Sequence, residues 1–223
     1  MRILLFDIDG TLIRSGGAGK AAMEAALQAA FGVREIRDRV SYSGHTDPSI
    51  MHALLVTHDL EPHAENMNRL QAEYLLQLPR CLHTRPGLVL PGIPEVLKRA
   101  QGKCQLGLLT GNIRAGAEIK LRHFGLWEHF AFGGFADGIP ERDDVARHAL
   151  METTKFMGSE IHPKAVWVIG DTPLDVKCAR AIGAHAVAVK TGWHTPYELA
   201  EAKPDWLIAD FTQAHELLAE WSI

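Results

Sequence analysis

The chain has 223 residues, 47% of them hydrophobic, which is enough for one sizeable α/β domain or a core domain carrying a smaller insertion, and excludes wholesale disorder. Its 27 acidic and 23 basic side chains give a formal charge of −4. That balance lacks the basic excess that draws a chain to nucleic-acid phosphates or anionic lipid, so neither nucleic acid nor a membrane is an expected partner.

In chain order, Ile3 to Phe6 is a short apolar run ended by Asp7 and Asp9. It is too short for the apolar region of a secretory leader and reads as a buried strand. Gly16-Gly17-Ala18-Gly19 then opens an Ala-rich helical stretch to Phe31; its glycines are too irregular for a nucleotide-binding fingerprint and read as a hinge. From Ser41 to Arg80 the chain is polar and helix-periodic, with helices expected over Asp47–His58 and Ala64–Leu78. Pro86-Gly87 and Pro91-Gly92 punctuate the return, and Ile93–Ala100 is an expected helix before a strand over Gln105–Leu109.

Beyond Leu109 the pattern alternates. Helices are expected over Ile113–Phe124, Arg142–Phe156 and Leu174–Ile182, and strands near Phe130–Phe132, Ala165–Ile169 and Ala186–Val189. An edge strand at Trp206–Ile208 and a last helix from about Thr212 to Trp221 complete the reading. Such alternation implies a parallel sheet, whose ligands sit at the carboxyl ends of the strands. Chemistry is therefore expected just after Phe6, Leu109 and Ile169. No apolar run approaches the roughly 18 residues of a membrane helix. Cys81, Cys104 and Cys178 form no CxxC pair and are read as reduced thiols, in keeping with a cytoplasmic location.

The three strand ends carry Asp7-Ile8-Asp9-Gly10-Thr11, Thr110-Gly111-Asn112 and Gly170-Asp171-Thr172-Pro173-Leu174-Asp175. Together these motifs resemble those of the haloacid dehalogenase superfamily, in its phosphoglycolate phosphatase and β-phosphoglucomutase branch, from residue 3 to about residue 195. The resemblance implies a Rossmann-like α/β core, residues 1–14 and 85–223, with a small helical cap inserted at 15–84. It implies Mg²⁺ held by the Asp7 side chain, the Asp9 carbonyl and Asp171, with Asp175 facing the same site. Asp7 is then the nucleophile and Asp9 the acid and base, while Thr110, Gly111 and Asn112 hold the phosphoryl oxygens. Independently of any resemblance, four carboxylates gathered at one sheet edge would repel one another unless a cation were present, and hard oxygen donors suit Mg²⁺.

Between Thr110-Gly111-Asn112 and Gly170-Asp171 there is no Lys-Pro pair of the kind that commonly supplies the family's phosphoryl-neutralising cation, and Arg142, heading a helix in that interval, is taken as its replacement because a guanidinium grips phosphate bidentately. Ser43-Gly44-His45-Thr46-Asp47 matches the cap's substrate-facing segment and puts His45 forward as a substrate contact, against a simpler reading of Thr46 or Asp47 as a helix N-cap beside a surface histidine. His52, His58 and His63 share no face that would make a ligand set. The resemblance thus points to a phosphatase acting on a small phosphorylated metabolite. A phosphomutase shares the core chemistry, and a non-catalytic binding protein on the same fold stays open. Dehalogenases lack the second aspartate, and phosphonatases need a cap lysine where residues 21 to 84 have none.

Overall fold

Alternate side chains of strand β1 (Arg2–Phe6) enter two different hydrophobic cores, Leu4 and Phe6 on one face and Ile3 and Leu5 on the other, which makes this strand the middle of a sheet covered on both sides. The structure is a computed structural model that describes residues 1–223. After β1 the chain forms a two-residue strand, β2 (Ile13–Arg14), then three helices, α1 (Ala18–Phe31), α2 (Asp47–Thr57) and α3 (Ala64–Thr84), and returns through β3 (Leu88–Val89) antiparallel to β2. The helices pack on one another around Met23, Leu27, Leu54, Leu70 and Leu78, a core of their own that touches the rest of the chain through Ile113, Ile119 and Phe124.

The remainder alternates as α4 (Ile93–Ala100), β4 (Cys104–Leu109), α5 (Arg114–His123), β5 (Phe132–Gly134), α6 (Arg142–Met157), β6 (Val166–Gly170), α7 (Pro173–Ala181), β7 (His185–Val189), α8 (Pro196–Glu201), β8 (Trp206–Ile208) and α9 (His215–Glu220). All six main strands are parallel, in the order β5-β4-β1-β6-β7-β8. The order reverses at β1, whose neighbours are β4 and β6. The carboxyl ends of β1, β4 and β6 therefore lie side by side, at the crevice where open α/β sheets bind ligands.

Several expectations are corrected. Helix α3 does not stop at Leu78 but runs through Pro79 to Thr84, because Leu78 and Leu82 continue the buried stripe begun by Leu70 and Tyr74 and hold the turn whose hydrogen bond the proline removes. Strand β5 lies at Phe132–Gly134 rather than at Phe130–Phe132, since a 3₁₀ turn at Trp127–His129 displaces the chain first. The last helix is broken in two: Asp210 caps a 3₁₀ turn at Phe211–Gln213, and α9 starts only at His215. Helix α8, too short for a periodic signal, rests on the Thr195/Glu198 capping box. Of the tryptophans, Trp221 is core and Trp193 is exposed. The three cysteines are free, and no helix is long and apolar enough to cross a membrane.

Candidate active site

A cavity of about 740 Å³ opens over the carboxyl ends of β1, β4 and β6, between the sheet and the helical unit α1–α3. Asp7 stands at its floor directly after β1, with its backbone N–H on the Ile169 carbonyl of β6. Asp171 follows β6, and Asp175 lies at the third position of α7, one turn on. Carboxylate oxygens of Asp7, Asp171 and Asp175 lie within 4.8 Å of one another, and all three residues are buried.

This crowding shows in their ionisation. Burial, with the charges of Asp175 and Asp9, pushes the Asp7 carboxyl up to about 6 even though Arg142 opposes it. Burial, with Asp175 and Asp7, drives Asp171 well above the usual carboxylate range, and the Thr11 hydroxyl donates to Asp171 Oδ1 at 3.2 Å. A hard divalent cation is the species that such an all-oxygen set, short of positive charge, is built to hold. The close approach relies on glycine: Gly10 has φ +82°, and a side chain there would run into the Asp171 carboxylate.

Arg142, at the first turn of α6, is the counter-charge. Its guanidinium pairs with Asp175 and lies 3.3 Å from Asp7 Oδ2, and it donates to the Gly44 carbonyl at 3.1 Å. Burial would lower its pKa, but Asp175 and Asp7 outweigh that and raise it. Asp175 is fully engaged: one oxygen takes Arg142, and the other accepts from Thr172 N–H and Thr172 Oγ at 2.9 and 2.8 Å, so the residue both caps α7 and anchors the arginine.

The expectation of four converging carboxylates is corrected to three, because the Asp9 side chain turns away from the cluster. Asp9 Oδ2 accepts from Lys120 Nζ at 2.5 Å and from Asn112 Nδ2 at 3.1 Å, and Oδ1 accepts from Ser15 Oγ at 3.3 Å. Burial would raise its pKa; the Lys120 charge and these hydrogen bonds outweigh it and hold Asp9 below the ordinary carboxylate range. Lys120 also donates to Asn112 Oδ1 at 2.6 Å. Lys120 lies outside the three strand-end motifs. Its signal was a lysine standing within the buried stripe of α5, beside Gly116, Ala117 and Leu121, where periodicity asks for an apolar side chain.

Gly111 and Asn112 line the cavity. Thr110 sits behind them, its Oγ accepting from Asn112 N–H and Nδ2 at 3.3 and 2.8 Å while keeping its own proton to donate. His45 is exposed at the cavity wall and contributes its backbone carbonyl, which packs over Gly111. Thr46 is the N-cap of α2, and its hydroxyl donates to the Pro140 carbonyl at 2.7 Å. Asp47 reaches across to the core, where Oδ2 accepts the Ile113 N–H at 2.9 Å; burial pushes its carboxyl up to about 7 against the pull of Lys120. Segment 44–47 is thereby fastened to the loop after β4. His58 and His63 make local hydrogen bonds in the helical unit: His58 accepts from Arg37 N–H, and His63 caps α3.

A family model described as haloacid dehalogenase-like hydrolase matches residues 4–180. Phosphoglycolate phosphatase of Synechococcus elongatus is 32% identical, over 96% of this chain and 97% of its own length. Probable phosphatase IndB of Dickeya dadantii is 27% identical, over 97% and 94%. Among solved structures, CbbY from Rhodobacter sphaeroides in complex with phosphate superposes with a TM-score of 0.77 at 21% identity, covering 96% of each chain, a likeness of fold.

Proposed function

Because this chain belongs to the haloacid dehalogenase-like hydrolase family and is a phosphoric monoester hydrolase, we propose that it cleaves a small phosphorylated metabolite through an aspartyl phosphate on Asp7, with Mg²⁺ as its metal. The observation that carries this reading is the cluster of Asp7, Asp171 and Asp175 at one sheet edge, with Arg142 placed against the nucleophile. The side chains of Asp7 and Asp171 and the backbone carbonyl of Asp9 would hold the ion, and Asp175 would support it while anchoring Arg142. The ion, when bound, supplies positive charge beside a nucleophile and a phosphate that are both anionic.

An Asp7 carboxylate oxygen bonds to phosphorus as the ester P–O bond breaks, and the departing alkoxide takes a proton from Asp9. Water then attacks the phosphorus of the aspartyl phosphate, Asp9 recovers a proton from that water, and inorganic phosphate leaves with Asp7 restored. Arg142, Thr110 and the backbone of Gly111 and Asn112 neutralise and position the phosphoryl oxygens. Lys120 is a positioning residue: together with Asn112 and Ser15 it orients the Asp9 carboxyl and favours its charged form in the free enzyme, so Asp9 takes up the proton it gives the alkoxide only once the anionic substrate is bound. Helices α1–α3, residues 15–84 with their flanking loops, serve as the cap that excludes bulk water and selects the leaving group, with His45 at the entrance.

The test is hydrolysis of an aryl phosphate with and without Mg²⁺, by the native chain and Asp7→Asn. Turnover that needs both the ion and Asp7 supports the reading, and unchanged turnover in Asp7→Asn ends the nucleophile assignment.

A further inference from the structure

Helix α5 begins directly after the loop that carries Thr110, Gly111 and Asn112, yet its own sequence does not cap it. Ile113 stands at the cap position and has no side-chain oxygen to offer, so the first amides of the helix need acceptors from elsewhere. Three successive amides find them on side chains. Asn112 N–H donates to Thr110 Oγ at 3.3 Å, Ile113 N–H to Asp47 Oδ2 at 2.9 Å and Arg114 N–H to Asp137 Oδ2 at 2.7 Å. Thr110 and Asp137 flank the helix in the sheet-bearing part of the chain. Asp47 comes from the helical unit, 66 residues before its partner. It is the first residue of α2, whose cap is Thr46, so Asp47 caps a helix other than its own.

The same short segment is held by the helical unit in two further ways. Asp47 N–H donates to the Gly111 carbonyl at 2.6 Å, so one residue grips the backbone on both sides of Asn112. The Ile113 side chain is buried in the apolar core of α1–α3. Asn112, fixed between these contacts, is the hub of the catalytic polar network. Its Nδ2 donates to Thr110 Oγ at 2.8 Å and to Asp9 Oδ2 at 3.1 Å, and its Oδ1 accepts from Lys120 Nζ at 2.6 Å. A displacement of the backbone at 111–113 therefore moves the partners of Asp9 and Thr110 together. Asp47 is 5% exposed, a costly place for a carboxylate, and asks for a role beyond starting α2.

We infer that Asp47 is a positioning residue for the reaction: its carboxylate supplies, from the helical unit, the missing cap of α5 and so fixes Asn112 between Asp9, Lys120 and Thr110. This deepens the phosphomonoesterase reading and rests on it. Asp47 acts through the backbone at 111–113 and touches no reacting atom. What the position needs is an acceptor oxygen at the reach of an aspartate, so asparagine is expected to serve and alanine to fail. Asp137, which caps the next amide without touching Gly111 or Ile113, is the natural control for capping alone.

The test combines steady-state hydrolysis of an aryl phosphate with Mg²⁺ and amide hydrogen exchange of peptides that carry Ile113 and Arg114. Asp47→Ala is expected to lower kcat by about tenfold or more, with KM changed by less than about threefold, because alignment rather than binding is lost. Exchange at the start of α5 is expected to quicken by about tenfold, the worth of one lost cap. Asp47→Asn is expected to stay within about threefold of native turnover, since its amide oxygen still accepts from Ile113 N–H. Asp137→Ala is expected to quicken exchange to a similar degree while turnover stays within about twofold of native. Asp47→Ser, too short to reach Ile113 but suited to a helix start, is expected to behave as the alanine variant does and replaces it if that variant folds poorly. Native kcat in the alanine and serine variants, a loss confined to KM, no rescue by asparagine, or an equal loss of turnover in Asp137→Ala overturns the positioning role while the phosphatase reading stands. No hydrolysis by the native chain overturns both.

Discussion

Lys120 Nζ and Asp9 Oδ2 stand 2.5 Å apart, a buried cation held against a carboxylate that opens onto the cavity. The contact ties α5 to the loop after β1 and sets the charge of the residue to which proton transfer is assigned. Replacing Lys120 with methionine keeps the bulk of the stripe and removes the charge. Turnover is expected to fall by about 10²-fold, the lower range for a displaced acid–base group. Stability is expected to fall by about 1–2 kcal/mol, less than the ~3–5 kcal/mol of a fully buried pair, because Asp9 is 39% exposed and water screens it. Steady-state kinetics and urea unfolding of the same variant measure both.

Arg142 bridges Asp7 and Asp175, so its loss uncovers the repulsion among three buried carboxylates. Arg142→Ala is expected to lose at least about 10²-fold in kcat/KM, as when an oxyanion donor is removed. Its metal-free melting temperature is expected to drop, and Mg²⁺ to restore part of the loss. Arg142→Lys is expected to fall in between, retaining charge but not the two-pronged grip. Differential scanning calorimetry with and without the ion reads the second effect.

The raised carboxyls predict how the metal-free protein responds to pH. Asp7 titrates near 6 and Asp47 near 7 in the fold, against 3.8 unfolded, so between those values the native state binds more protons than the unfolded chain. Stability from these groups is complete below about 4 and is lost as pH rises through about 7. Asp171 acts in the same sense, and Asp9, held low, in the opposite one. The expected outcome is a melting temperature that declines from pH 5 to pH 8 without metal, and a flatter profile in Asp7→Asn. Mg²⁺ is expected to stabilise most at the upper end, where its ligands are ionised.

Gly111 tests the seam between the helical unit and the core. A β-carbon there would stand 2.5 Å from the His45 carbonyl oxygen and 2.9 Å from an Arg142 nitrogen. Gly111→Ala is expected to push segment 44–47 away from the loop after β4 and to cost about tenfold or more in kcat/KM. Far-ultraviolet circular dichroism is expected to stay unchanged.

The sheet and the positions of Asp7, Thr110 and Asp171 were legible in the sequence because both faces of a parallel strand are buried and each strand must end where polar residues begin. Arg142 was legible from its place at a helix start. Lys120 carried only the signal of a lysine inside an apolar stripe, and its role was not legible because that depends on a partner 111 residues away. The orientation of Asp9 escaped for the same reason. Two residues apart, Asp7 and Asp9 look like one acidic cluster, yet Lys120, Asn112 and Ser15 draw the second carboxylate out of it.

The central claim is that phosphorus passes through Asp7. Turnover of an aryl phosphate with Mg²⁺ would be quenched in acid, the protein reduced with borohydride, and its peptides examined by mass spectrometry. The account predicts that residue 7, and no other carboxylate, is converted to homoserine, and that the conversion depends on substrate. An unreduced Asp7 under conditions of full turnover, or reduction at a different carboxylate, would contradict it.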